Sequence, residues 1–394
     1  MQPIPYGKQN ITEEDIQAVM QTLQSDFLTQ GPKIEEFENK FAQYIGCKYA
    51  VAVANGTAAL HLCALALGVN TQSNVITTPI TFAASANCVQ YCGGTVWFAD
   101  IDPATGLLAL ETVRKLLESK PKGFFTGIIP VDFAGYPVNL EAFRQLADEF
   151  GLWIIEDACH APGGYFIDNK GVKQYCGNGY YADLAIFSFH PVKHIATGEG
   201  GMITTNDKVL YDKLLLLRTH GITKNPNLLQ ENQGGWYYEM QELGYNYRMP
   251  DILCALGISQ LNRAEAGLER RQILARKYDA AFQDINQISI LNPAVASGIQ
   301  NDAVKHAYHL YIILVQNRKG LYNFLREQNI FAQVHYIPVN TMPYYQEQGW
   351  EKGDFPLAEN YYEQCLSLPM YPSLTDAEQQ YVIDQVLRFI DQDS

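Results

Sequence analysis

The chain has 394 residues, 47% hydrophobic and 18% charged, which excludes a disordered polymer and supplies apolar material for a large core. Its 28 basic and 42 acidic residues leave a formal charge of −14, with no basic run, which argues against nucleic acid or an anionic membrane as partner. An anionic small ligand is not excluded, because local backbone amides hold a phosphate whatever the net charge.

The opening segment "MQPIPYGKQNITEED" has neither a basic n-region nor an apolar h-region, and no apolar run approaches the length of a membrane span. A cytoplasmic protein without signal peptide or membrane anchor is expected. Eight cysteines are scattered through hydrophobic segments without a CxxC pair, and are expected to be reduced core residues. Cys159, beside the acidic "EDACH", is the one candidate for reactivity. No metal site is expected.

Strand and helix alternate through the first two-thirds. "YAVAVA" (49–54) predicts a short buried strand, and "TAALHLCALALG" (57–68) a helix ending at Gly68. "NVITTP" reads as a strand, "FAASANCVQYCGG" as a helix stopped by two glycines, "TVWFADID" as a strand and "LALETVRKLLES" as a helix. "TGIIPVDFAG" and "NLEAFRQLADEFG" repeat the pair. The strands "LWIIEDA", "LAIFSF" and "GGMITTN" follow, and then the helix "DKVLYDKLLLLRTHG". Such alternation implies an α/β layer with a mainly parallel buried sheet, in which ligands bind at the carboxyl ends of the strands. From about residue 225 a polar, tyrosine-rich stretch reads as a long functional loop. Residues 252–283 predict one long helix, bent near Gly257 or Gly267. Later strand-like and helical pieces predict a smaller α+β domain. The expected division is 1–261 for the N-terminal segment and large domain, and 262–394 for the small C-terminal domain.

The residues after the strands form a set. Asn55-Gly56-Thr57 opens a helix as a phosphate cradle, or as an ordinary cap. Phe82 lies near the same edge, as an aromatic plate or as core packing. Asp157 directly follows a buried strand, where an acid needs a partner. Ser188 begins "SFHPVKHIATGEGG" (188–201), which carries Lys193 between two core strands. Taken alone, that stretch reads equally well as a solvated turn. A desolvated lysine, however, loses its proton readily. Cradle, plate, carboxylate, hydroxyl and lysine together meet the needs of pyridoxal 5′-phosphate (PLP). The lysine forms a Schiff base and shuttles protons, and the carboxylate keeps the pyridine nitrogen protonated. No GxGxxG follows the early strands, which excludes a dinucleotide-dependent oxidoreductase.

With "NGTAALHL", "TTPITFAASAN", "IIEDACHAPGG", "SFHPVKHIATGEGG", "LGYNYRMPDILCALGISQL", "VHYIPVNTMPYY" and "CLSLPMYPSLTDAEQ" in order, the chain resembles the DegT/StrS-type sugar-nucleotide aminotransferases. These are PLP enzymes of the aspartate-aminotransferase fold (fold type I). The resemblance implies that Lys193 is the Schiff-base lysine, that Asp157 faces the pyridine nitrogen, that Phe82 stacks on the ring and that His160 lies over or beside it. It implies that Gly56, Thr57 and Ser188 hold the phosphate, and that Asn246 reaches the phosphate of a neighbouring subunit in a homodimer with shared active sites. For the nucleotide-sugar it points to Tyr6, to Asp26, Phe27, Leu28 and Thr29, and to Gln333, Val334, His335 and Tyr336. Packing in the second domain is the plain alternative for His335 and Tyr336.

Within the family the chain looks most like the branch that aminates C4 of UDP-linked 4-keto-6-deoxy-N-acetyl sugars in pseudaminic acid biosynthesis, with glutamate as donor. It departs from relatives at Asn55, where serine is common, at His194 after the lysine, and in a long stretch, "FIDNKGVKQYCGNGYY". The other readings are an aminotransferase for another UDP- or dTDP-linked keto-deoxysugar, a PLP sugar dehydratase, and a non-catalytic binding or regulatory homologue. In dehydratases of this type the lysine is replaced, so Lys193 argues against that reading.

Overall fold

Seven short apolar runs become the strands of one sheet. Its order is Tyr49–Val53, Gly201–Thr205, Leu184–Ser188, Trp153–Asp157, Gly127–Ile129, Asn74–Thr77 and Thr95–Phe98. The computed structural model describes residues 2–291 and 303–393. Gly201–Thr205 runs antiparallel to both of its neighbours, and the other pairs are parallel. The cause is local: the connection 189–200 holds no helix, and strands joined without a crossover must run antiparallel. That connection therefore turns back at the edge where the parallel strands end, and it carries Lys193.

Side-chain alternation gives this sheet two cores. Val51, Val53, Ile186 and Ile203 face one apolar cluster, while Ala50, Ala52, Phe187 and Met202 face another. Burial on both faces is why the strands read as continuous apolar runs. A third cluster lies toward the C-terminus, where Leu274, Tyr278 and Phe282 pack with Tyr311, Ile313, Leu366 and Leu368. There Tyr311–Leu314 pairs antiparallel with both Ser289–Ile290 and Cys365–Leu368. Ile4 joins this cluster, and Ile4–Pro5 pairs with Ile330–Phe331, so the start of the chain lies against its C-terminal part.

The single helix expected over 252–283 is two, Asp251–Leu261 and Ala264–Phe282. They part at Asn262–Arg263, not at either glycine. Here the Arg263 guanidinium turns to the buried Asp15 carboxylate and to the carbonyl of Asn10 at 2.6 Å. Gly257 has a different purpose, since a Cβ there would meet the Phe37 ring at 2.6 Å. The long stretch after Gly164 is a hairpin, Tyr165–Ile167 with Lys173–Tyr175, extended by Val304–Lys305. Among the described residues, no helix is long and apolar enough to cross a membrane.

Candidate active site

The Tyr49–Val53 strand leads through Asn55 into the helix Gly56–Ala66. Asn55 caps it, its Oδ1 accepting the Ala58 N–H at 2.8 Å. The amides of Gly56 and Thr57 have no carbonyl one turn back to bond, and both residues line a cavity of about 690 Å³. Ser188 closes in from the neighbouring chain segment. A Cβ on Gly56 would stand 3.0 Å from the Ser188 Cβ and 3.4 Å from its Oγ. Glycine thus leaves open a cradle between a helix N-terminus and a hydroxyl, the arrangement a phosphate requires.

Asp157 ends the Trp153–Asp157 strand and is 5% exposed. Its Oδ2 accepts from Ser85 Oγ at 2.7 Å and its Oδ1 from the Cys159 N–H at 3.2 Å. Ser85 also bonds Thr81 Oγ1 at 2.8 Å. These donors satisfy a buried carboxylate and fix its direction. Phe82 is not core: the residue is 64% exposed and lines the cavity.

Lys193 sits in a tight connection. Phe189 N–H bonds Gly200 O at 2.8 Å, Thr197 N–H bonds Phe189 O at 2.9 Å, and Lys193 N–H bonds His190 O at 2.8 Å. Ile195 and Ala196 anchor it in the interior. Burial lowers the pKa of the amine, against the opposing pull of Cys159 and Asp157. Its Nζ lies 3.4 Å from His309 Nε2. Around it stand His160, whose Nδ1 accepts the Ala134 N–H at 3.2 Å, and Tyr336, whose OH is 3.3 Å from His160 Nε2. His335 bonds Ser367 Oγ at 2.8 Å and packs against the Tyr6 ring. Burial holds His160 well below the usual histidine range and His335 at about 3, so these rings are neutral at physiological pH.

The cavity thus gathers Tyr6, Gly56, Thr57, Phe82, Asp157, His160, Ser188, Lys193, His335 and Tyr336. The other residues singled out in the sequence lie elsewhere. Asp26, Phe27, Leu28 and Thr29 form an exposed bend beyond the first helix. Asn246 is exposed and bridges Thr219. Gln333 pairs its backbone with Ser367, and Val334 packs on two apolar clusters. Ser85 and His309 were not anticipated. Ser85 stands one turn after Phe82, which is a usable signal, but His309 lies in "HLYIILVQ", legible only as a strand. The Cys159 thiol is pushed well above its usual range by burial and by Asp157, so reactivity there is not expected.

Behind Asp157 the Asp132 and Glu156 carboxyls are both buried within 4.8 Å of each other, and Asp132 Oδ2 and Glu156 Oε2 have no hydrogen-bond partner among the described residues. Asp132 Oδ1 accepts the Val138 N–H and Glu156 Oε1 the Gly177 N–H, each at 2.8 Å. Desolvation pushes Asp132 up to about 7 and, with the Asp132 charge beside it, Glu156 well above the usual range, so the pair is expected to retain a proton near neutral pH. The native state then binds a proton that the unfolded chain has released. Stability from this pair is full below the unfolded carboxyl range and falls as pH rises through about 7. Asp132→Asn, whose amide donates to Glu156, is expected to flatten that fall. At pH 9 it should exceed wild type by on the order of 1 kcal/mol in urea unfolding. Parallel wild-type and variant curves across pH would remove the retained proton from the account.

A family profile described as the DegT/DnrJ/EryC1/StrS aminotransferase family matches residues 9–387. The spore coat polysaccharide biosynthesis protein SpsC of Bacillus subtilis is 39% identical over 391 residues, covering 97% of this chain and 96% of that one. The UDP-4-amino-4,6-dideoxy-N-acetyl-beta-L-altrosamine transaminase of Campylobacter jejuni is 36% identical over 396 residues, covering 98% of each. Among solved structures, Helicobacter pylori PseC, an aminotransferase involved in the biosynthesis of pseudoaminic acid, superposes with a TM-score of 0.87. It is 30% identical, covering 99% of this chain and 100% of that one.

Proposed function

Because the chain belongs to the DegT/DnrJ/EryC1/StrS aminotransferase family, we propose that it moves an amino group from glutamate to C4 of a UDP-linked 4-keto-6-deoxy-N-acetylhexosamine, a step of the pseudaminic acid type. The chain is a PLP-dependent sugar aminotransferase. In the balanced reaction, glutamate leaves as 2-oxoglutarate and the keto carbon becomes an amine-bearing carbon. The observation that carries the reading is one cavity holding a desolvated lysine, a twice-bonded carboxylate and a glycine-opened phosphate cradle.

PLP, when bound, supplies an electron sink that lets an amino group leave one carbon and join another. Gly56, Thr57 and Ser188 would hold its phosphate. Asp157, fixed by Ser85 and the Cys159 amide, keeps a proton on the pyridine nitrogen. Phe82, on the cavity wall, would cover one side of the ring, and His160, neutral and tied to Tyr336, would lie beside it. Lys193 moves the proton to and from the glutamate α-carbon and the sugar C4, for which a partly desolvated amine is suited. Tyr6, His335 and Tyr336 contact the sugar. Gln333 and Val334 anchor that wall.

Asp26–Thr29 and Asn246 lie outside the single-chain cavity, and in this reading they serve the site of a second copy. Large apolar side chains support such a homodimer. Ile16 and Leu23 are 52% and 55% exposed on the first helix, and Trp236 and Leu243 are 73% and 77% exposed on the long loop. Sedimentation equilibrium is expected to give twice the 44.3 kDa chain mass, and a monomer would end the shared-site reading. Eight unpaired cysteines fit a reducing, cytoplasmic setting.

The reading is tested by loading the enzyme with PLP and glutamate, and then offering 4-keto-6-deoxy sugars carried on UDP, dTDP or GDP, with and without the N-acetyl group. The UDP-linked N-acetyl sugar is expected to give the highest kcat/KM, by at least about tenfold. Preference for another carrier reassigns the substrate. Failure with every keto sugar, with glutamate still deaminated, reopens the dehydratase and regulatory readings.

A further inference from the structure

His309 lies in a bend just before the Tyr311–Leu314 strand and is held there by several contacts. The preceding Tyr308 has a φ of 48°, a conformation that bulky residues adopt only when their surroundings enforce it. The fully buried Arg271 enforces it from one side, its Nη1 donating to the carbonyls of Tyr308 at 3.0 Å and His309 at 3.3 Å. Gly135 presses from the other, where a Cβ would stand 2.9 Å from the Tyr308 nitrogen and 3.0 Å from that of His309. His306 locks the turn locally. Its Nδ1 accepts the Tyr308 N–H at 2.8 Å, and its ring stacks on Tyr308 at 4.0 Å.

The result of this clamping is one side chain delivered to one place. The His309 ring stands 4.3 Å from that of His160, lines the cavity and presents Nε2 to Lys193 Nζ at 3.4 Å. Its other nitrogen, Nδ1, is buried without a partner among the described residues.

We propose that His309 is a positioning residue for Lys193, its Nε2 accepting a hydrogen from Nζ and so fixing the direction in which the amine's lone pair meets the cavity. The backbone strain at Tyr308 serves this placement. The groups facing the pair are Asp157, Cys159, His160, His194 and Arg271, with His335 further out. Burial keeps the His309 ring neutral, so it acts as an acceptor and not as a second cation. The inference rests on Lys193 being the reactive amine.

The test follows covalent capture and not turnover. PLP is added to the purified protein stripped of bound cofactor, trapped by borohydride at a series of pH values, and located by peptide mass spectrometry. Wild type is expected to incorporate at Lys193. His309→Phe, which keeps the ring's bulk, is expected to slow incorporation about tenfold or more. Its half-maximal pH should also move lower, because the ammonium has lost an acceptor. His309→Gln, which retains an acceptor, is expected to recover most of both effects. Circular dichroism and the unfolding midpoint establish that each variant is folded. Should His309→Phe not fold, His309→Leu removes the acceptor in a smaller apolar side chain and is read in the same way. An unchanged pH profile in His309→Phe, or equal loss in the Phe and Gln variants, overturns the positioning role. Absence of incorporation at Lys193 in wild type overturns the lysine assignment itself.

Discussion

Lys193→Ala is expected to fold normally and to lose amino transfer by roughly a thousandfold or more, with no PLP trapped at position 193. Two features of the site lead to this. Among the described residues the amine is the one aliphatic amino group on the cavity wall, and the short connection holding it is fastened by backbone hydrogen bonds that do not involve its side chain. Truncation therefore removes the nucleophile and proton carrier while leaving the turn intact. It also deletes a charge that burial disfavours, which offsets lost contacts of the methylenes, so the unfolding midpoint should stay within a few degrees of wild type. The measurement is glutamate-dependent turnover beside borohydride trapping. Retention of most of the activity would sink the lysine role.

Asp157→Asn is expected to leave structure and cofactor binding nearly intact and to slow both half-reactions by about two to four orders of magnitude. An asparagine fills the same space, and its Oδ1 still accepts from Ser85 or from the Cys159 amide. It carries no negative charge, so a protonated pyridine nitrogen opposite it is no longer favoured, and the electron sink weakens. Neither Ser85 nor the backbone amide supplies the missing charge, because both are neutral donors. Single-turnover rates with glutamate give the comparison, and a rate within severalfold of wild type would refute the role. The two variants separate the functions: trapping at Lys193 is lost in the first and kept in the second.

Much of this site was legible before any coordinates. Gly56-Thr57, Asp157 and Ser188 each follow a buried apolar run, and a parallel sheet delivers the ends of such runs to one edge. Where the reading went astray, packing had overruled local pattern. The long helix over 252–283 has uninterrupted helical composition, and nothing local shows that Arg263 turns away to a carboxylate some 248 positions earlier. Gly257 looked like a bend but is a close-packing position under Phe37.

Local periodicity and turn residues were enough to decide the α/β class, because they depend on neighbours within a few residues, whereas the cofactor chemistry was read from the set of residues at several strand ends together with the family resemblance. The support of that chemistry was decided only when the chain closed on itself. Ser85 meets Asp157 across 72 positions, and His309 meets Lys193 across 116. Asp132 and Glu156 are raised above the usual carboxyl range because adjacent parallel strands bring two acids together away from water. Such pairings depend on strand order and on desolvation, and neither is a property of any short stretch of the chain.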